Sequence, residues 1–573
     1  MRSEPSRVLR VAALAVLVAL AGDARADHHA AGDHTATGER WAVATVQPIA
    51  TDAAADVFRD GGNAVDAAVC AAMTLGVVDN HNSGLGGGCL ILIRSPDGEL
   101  LAIDGRETAP AAASRQMFVR DGVADTSLSQ TGPLAVGTPG ALAAYAMANE
   151  LAGELPLARL LAPGEQAARE GFPLDANYAG RLAGAARRLR LFPASAGQLL
   201  DADGQPHPEG YVLRQPDLAA TYRAIAEEGP DWFYRGPLAD RIGAWMAANG
   251  GLLSADDFAR YEALRREPIE STYRGLRVIG FPPPSSGGVH VAQMLGMLER
   301  FDLGRMLRRD QPRAVHVVTE AMKLAFADRA YWLGDSDFAD VPRGLTDPAY
   351  IDELSAKIDP ERATEVAAQG EPPRWRQDLF GRHTTHIAAA DARGWWVAIT
   401  ATVNTGFGSK VIVPGTGLVL NNEMDDFSIE PGVPNAFGLV GAENNAVEPG
   451  KRPLSSMSPT LVLDAQGEPL LTVGAAGGPK IITQVLLAII RVVDGGMPLG
   501  EAIAAPRWHH QWRPDELSFE KAMPAGVALP AIAYGHRAGL LGSGGVSQGV
   551  QRLPDARLTA VRDPRVPGKA AAE

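Results

Sequence analysis

The chain has 573 residues, with 46% apolar and 21% charged, which suits one large layered domain or several average ones and is too apolar for a disordered protein. Its 53 basic residues are scattered among 67 acidic ones, for a net charge of −14 with no basic tract, which argues against nucleic acid or an anionic membrane surface as partner. With 63 Gly and 41 Pro it is loop-rich but folded.

Arg2, Arg7 and Arg10 precede an apolar run over residues 11–21, and Ala24-Arg25-Ala26 follows as a small-x-small cleavage site. The run is too short to span a bilayer. The spacing predicts an export signal over 1–26, cut after Ala26, and a soluble periplasmic or secreted product. Residues 27–40 read as a disordered polar leader, with His28, His29 and His34 in a flexible tail.

A helix is expected over 49–59, stopped by Gly61-Gly62, and a second after Asn63, with Asp66 in a capping-box position. Cys70 lies in that Ala-rich helix and Cys89 follows a glycine run; a bridge and two buried thiols are both open. Gly86-Gly87-Gly88 precede a strand over 90–94, so backbone there passes close to another element or to a ligand. A short strand over 101–104 ends at Arg106, either a surface ion pair or a clamp for a carboxylate. Residues 140–335 read as mainly helical scaffold, amphipathic over 315–330 and broken by the turn at 282–288.

The stretch 381–408 reads as a hairpin. A strand opens at Thr384-Thr385-His386, Gly394 closes a three-residue loop, and a return strand alternates through Val397, Ile399, Ala401 and Val403 as a half-buried strand would. Pairing Asp391 with Trp395 places Thr384 directly opposite Thr402; a slip of one residue would separate them onto opposite faces. By itself this is an ordinary Thr–Thr ladder pair.

A strand over 418–422 should end in the acidic run Glu423-Met424-Asp425-Asp426, suited to an ammonium group because no His or Cys stands nearby for a transition metal. The Gly/Pro/Asn-rich loop over 431–452 is long enough for a lid. It leads to Ser455-Ser456, a strand over 470–474, and Gly477-Gly478 directly before a helix from Pro479 to Asp494. Backbone N–H groups at such a helix start are a ready oxyanion site.

In this order GGNAVDAAVCAAMTLGVV, NSGLGGG, IDGRETAP, PPSSGG, the TTH start, NNEMDDFS, KRPLSSMSPT, GAAGG and APRWHHQ resemble the gamma-glutamyltransferases (gamma-glutamyltranspeptidases), members of the N-terminal nucleophile hydrolase superfamily. The resemblance covers nearly the whole chain after residue 26. It implies an α+β fold, the four-layer αββα sandwich, and a precursor that cuts itself before Thr384. The large subunit would be 27–383 and the small catalytic subunit 384–573, sharing one domain.

It implies Thr384 as nucleophile, with its freed α-amine as base, and Thr402 as its orienting neighbour. Gly477 and Gly478 would form the oxyanion hole. Arg106, Ser455 and Ser456 would hold a substrate α-carboxylate, and Asn404, Glu423 and Asp426 its α-ammonium. The implied substrates are glutathione and other gamma-glutamyl compounds, with water, amino acids or dipeptides as acceptors; no cofactor or metal is implied. Two departures stand out: Phe437 where many bacterial members carry Tyr, and Cys89 where a small residue is usual. The rival readings are a cephalosporin (glutaryl) acylase on the same fold and a non-catalytic exported binding protein.

Overall fold

A computed structural model describes residues 34–373, 385–430 and 433–573. Fourteen strands build two antiparallel sheets: β1 (Thr35–Gly38), β2 (Trp41–Thr45), β3 (Gly88–Arg94), β4 (Leu100–Gly105), β5 (Leu264–Arg266), β6 (Ile269–Tyr273), β7 (Leu276–Gly280), β8 (Thr385–Asp391), β9 (Trp396–Thr402), β10 (Thr460–Leu463), β11 (Pro469–Ala476), β12 (Val546–Arg552), β13 (Leu558–Val561) and β14 (Lys569–Ala572). One sheet runs β14-β2-β8-β9-β3-β4-β5 and the other β1-β13-β12-β11-β10-β7-β6. Helices α1 (Pro48–Arg59) and α2 (Ala64–Val78) cover the first sheet. Helices α3 (Gly287–Leu298), α4 (Gln311–Trp332) and α5 (Lys480–Val493) cover the second.

The alternation of side chains along each strand sorts the core into three layers. Ile387, Ala389, Val397 and Ile399 point into the core under α1 and α2. Ala388, Ala390, Trp396 and Ala398 point the other way, against Ile279, Leu461, Val550 and Ala560 of the facing sheet. The return strand is therefore buried on both faces rather than half-buried; it is central in its sheet, and small alanines leave no polar face to betray the layer outside. This is the αββα sandwich expected of the sequence.

Local chemistry explains the elements around the site. Asn63 accepts from the amides of Val65 and Asp66 while Asp66 accepts from Asn63 N–H, completing the capping box of α2. Every residue of α2 is buried, as an apolar helix between a sheet and an outer helical layer must be. Asp391 N donates to Trp395 O, and the hairpin register runs from Thr385↔Ala401 to Ala390↔Trp396, as predicted.

Several expectations do not hold. Residues 35–38, read as disordered, form β1 against β13, and His34 is buried with Nε2 3.2 Å from Gly500 O. Polar TATG carries no apolar signal, so only the partner strand reveals it. Helix α4 is not amphipathic: residues 314–330 are buried, including Glu320 and Lys323, which pair with each other and with Thr364, and Asp328, which accepts from Gln293, Tyr350 and Gly370. Strands β5–β7 interrupt the stretch read as helical. Residues 418–422 form no strand, only a bridge between Ile412 and Val419, and the acidic run is a 3₁₀ turn, Glu423–Asp426. Cys70 and Cys89 are buried free thiols. The glycine run meets backbone, not helix: a Cβ on Gly87 would lie 1.8 Å from Thr402 O, and one on Gly86 2.2 Å from Val419 O. The export signal, its Ala26 cleavage site and Thr384 lie outside the described residues.

Candidate active site

The start of β8, the ends of β4, β9 and β11, and the loop before β10 gather at one end of the sandwich. A cleft of about 680 Å³ opens there, lined by Asp79, His81, Asn82, Thr385, Asn404, Phe437, Gly477, Gly478 and Gln511 among others. Thr385, the residue after Thr384, donates its hydroxyl to Asp79 Oδ2 at 3.3 Å. Burial pushes the Asp79 carboxyl up to about 8, against a hydrogen bond from Asn82. Thr402 closes β9 beneath the cleft, fully buried, and its Oγ1 accepts from Asn404 N at 2.7 Å. Asn404 takes a left-handed φ of 75° that turns the chain, and its Nδ2 donates to Asn422 O at 2.9 Å.

Gly477 and Gly478 leave the end of β11 with φ of +132° and +65°, which only glycine adopts readily in succession. A Cβ on Gly478 would come within 2.8 Å of the Phe437 ring, so the tip of the predicted lid lies over the oxyanion candidate. Gln511 Nε2 donates to Phe437 O (3.3 Å) and Gly438 O (3.4 Å), fixing that tip from the backbone side.

His386, third residue of the TTH start, is no base. Its ring fills the space that Gly474 of the facing sheet leaves by lacking a Cβ, with Nδ1 3.0 Å from Thr400 Oγ1. Burial lowers it to about 3, so it is neutral.

The residues expected to hold the substrate form a second, closed group beside the cleft. Arg106 is neither a surface pair nor open to solvent. It is fully buried, and its guanidinium donates to Glu423 Oε1, to Asp426 Oδ2 (2.8 Å) and to Pro453 O (3.1 Å), with Glu107 Oε2 at 3.4 Å. Burial alone would lower Arg106; the carboxylates of Glu423, Glu107 and Asp426 outweigh it and hold the guanidinium charged. Burial raises Glu107 to about 7 and Asp426 to about 6, and raises Glu423 too, against the pull of Arg106. Three carboxyls around one guanidinium cannot all ionise cheaply in a dry site, so protons are held there near neutrality.

Ser455 and Ser456 lie in the loop that follows Pro453, where Ser286 Oγ donates to Ser455 O at 2.6 Å. Thus the PPSSGG turn, which carried no role in the sequence, props the serine pair. Among the described residues three of the expected contact atoms are buried with no hydrogen-bond partner: Asn404 Oδ1, Glu423 Oε2 and Ser456 Oγ. Such atoms normally find partners. Asp79, Glu107, Asn435 (Nδ2 to Asp426 Oδ1, 3.1 Å) and Gln511 were missed; only the DNHN run before the glycines and the APRWHHQ motif hinted at Asp79 and Gln511. No helix among the described residues is long and apolar enough to cross a membrane.

Two sheets closed by helix layers, with Thr385 opening a central strand and the amides of Gly477 and Gly478 and the buried Arg106 cluster at one end, define an enzyme of the N-terminal nucleophile hydrolase type. The gamma-glutamyltranspeptidase family model matches residues 50–573, and the chain belongs to that family. It is 41% identical to the glutathione hydrolase proenzyme of Escherichia coli (strain K12) over 534 residues, 93% of this chain and 91% of that one. It is 39% identical to the acylase ACY 1 proenzyme of Pseudomonas sp. (strain SE83) over 539 residues, 91% and 92% of the two chains. The cephalosporin acylase of Bacillus halodurans superposes with a TM-score of 0.85 at 28% identity, covering 96% of this chain and 99% of that one. The chain is thus related to both hydrolases and acylases of one catalytic type.

Proposed function

We propose that the protein is an exported precursor that cuts itself before Thr384 and then transfers gamma-glutamyl groups from amides such as glutathione to water or an acceptor amine. A threonine hydroxyl is a weak nucleophile without a base. Cleavage of the 383–384 bond frees the Thr384 α-amine, with an unperturbed pKa of about 7.7–8.0, as that base. The hydroxyl oxygen attacks the gamma-carbonyl and the amine takes its proton. The tetrahedral oxyanion would be met by the Gly477 and Gly478 amides, and collapse expels the substrate amine, protonated by the same group. Water or a second amine then discharges the ester. The observed pairing Thr385↔Ala401 matches the register predicted from the hairpin loop, the register in which position 384 would face Thr402.

The observation that carries the substrate class is the retention of Glu423 and Asp426 on Arg106, with Glu423 Oε2 and Asn404 Oδ1 unpartnered. Acceptors beside a buried guanidinium suit an amino acid head, which carries both signs. The second reading is an acylase that releases a glutaryl group, which lacks the ammonium; the full-length likeness to acylases favours it. Matched gamma-glutamyl and glutaryl anilides separate the two. Preference for gamma-glutamyl by about 10²-fold or more, the value of two to three kcal/mol of charged hydrogen bonding, is the expected result. Equal or reversed preference would favour the acylase.

A further inference from the structure

Another cluster of ionisable side chains lies outside the cleft, on the helical layer over the second sheet. His316 and Glu320 stand one turn apart on the same face of α4, and His536 reaches them from the loop beyond residue 533. We propose that His316, Glu320 and His536 bind a divalent transition-metal ion of the zinc class. All three residues are buried, and one ligand atom from each lies within 4.8 Å of the other two.

The hydrogen bonds decide the protonation of His316. Its Nε2 is 2.8 Å from the Asp359 carbonyl oxygen, which can only accept, so Nε2 carries the proton and Nδ1 presents a lone pair. A backbone carbonyl holding the far nitrogen is how metal-ligating histidines are oriented. The Tyr534 ring, stacked on His316 with centroids 4.3 Å apart, fixes the ring plane. That Nδ1 faces His536 Nε2 at 2.8 Å, while His536 Nδ1 lies 4.0 Å from Glu320 Oε1.

With the proton on Nε2, neutral His536 donates to His316 Nδ1 at 2.8 Å, and a metal ion would take that proton's place between the same two nitrogens. With the proton instead on Nδ1, on the side of Glu320, both facing nitrogens present lone pairs, the arrangement that a bridging cation needs. Two imidazole nitrogens and the Glu320 carboxylate make a nitrogen and oxygen donor set that suits zinc. A tetrahedral ion with bonds of about 2.0–2.1 Å sets its nitrogens about 3.3 Å apart, so the rings need open by only about half an ångström.

Glu320 is held for the task. Its Oε2 accepts from Thr364 N (3.0 Å) and Thr364 Oγ1, and its Oε1 from Lys323 Nζ (2.6 Å), which also donates to Thr364 O. The Lys323 ammonium opposes a neighbouring cation, which makes the ion removable by a chelator rather than permanent.

The test uses the purified full-length protein, stripped with a chelator and titrated with cobalt(II), then with zinc. One equivalent per chain should bind, with the visible absorption of tetrahedral cobalt and a rise in Tm on zinc. His536→Ala and His316→Ala should lose the absorption and the Tm rise. Lys323→Met keeps all three ligands and should bind at least as tightly. The inference is overturned if the stripped protein takes up no metal, if either His variant keeps the same cobalt spectrum, as ions held by His28 and His29 would give, or if Lys323→Met loses the site. Should a His variant fail to fold, the wild-type stoichiometry and the Lys323→Met result still decide.

Discussion

The cleft and the clamp lie side by side but are built on opposite plans. The cleft is made of backbone: glycine amides, a left-handed Asn404, a lid tip fixed through its carbonyls. The clamp is made of charge, buried and already paired with itself through Arg106. A backbone site needs no rearrangement to receive an oxyanion. On the proposed function a self-paired site must exchange partners, since a gamma-glutamyl substrate's carboxylate would share Arg106 with Glu423 and Asp426 while its ammonium would take over the charge the guanidinium now balances. Reaction and recognition are thus separable, and each can be broken alone.

The largest effect belongs to the reaction side. Thr384→Ala should remain a single chain on a denaturing gel and show no activity; recovery of two chains would refute the nucleophile assignment. Next comes Arg106→Met, which leaves Glu423 and Asp426 buried against an apolar side chain. Losing one partner of a buried ion pair costs about 3–5 kcal/mol, so denaturant unfolding should show that loss and kcat/KM should fall about 10²–10³-fold. Asp426→Asn should lower kcat/KM for gamma-glutamyl anilide about 10–100-fold while leaving glutaryl anilide nearly unchanged. A uniform loss on both substrates would dissolve the distinction between the two regions.

A pH-dependent effect tests the cleft floor. The Asp79 carboxyl titrates near 8 in the folded protein, above its ordinary value of 3.8. Between these values the folded state binds the extra proton, so this carboxyl makes stability fall as pH rises, by up to about 1.4 kcal/mol per unit, and adds no slope above 8. Asp79→Asn should therefore gain stability relative to the wild type as pH is raised from about 5 to 8, seen as converging or crossing Tm curves. Parallel curves would refute it. The smallest effect is expected of Phe437→Tyr. A hydroxyl on the lid tip should shift the ratio of transfer to hydrolysis by about two- to threefold, the scale of one net hydrogen bond, measured with and without a dipeptide acceptor.

What could be read beforehand follows the range of the interactions. The hairpin register was legible because Gly394 and a three-residue loop set it locally, and the caps of α2 and the start of α5 are likewise written within a few residues. The layer order came from the family resemblance, not from periodicity, since Ala388 and Ala389 look alike whichever core they enter. Arg106 was legible as a charge past a strand end, but its burial depends on residues more than three hundred positions away. The charges along α4 misled for the same reason: Glu320 and Lys323 are satisfied by Thr364 and each other inside the fold. Strand β1 needed its partner β13 to exist at all.

The sheets themselves carry a last consequence. In one, β14, β8 and β9 come from beyond the proposed cut, while β2, β3, β4 and β5 precede it; in the other, β1, β6 and β7 flank four strands from the later part. Strand β2 lies between β14 and β8, so the earlier piece is threaded between strands of the later one in the same ladder. A cut before Thr384 then yields two polypeptides with no separable halves. Intact protein would ignore dilution, but once melted the pieces must find each other again. Precursor unfolding stays first order in a single chain, whereas the cut enzyme acquires a melting point that rises with concentration and a refolding yield that collapses on dilution.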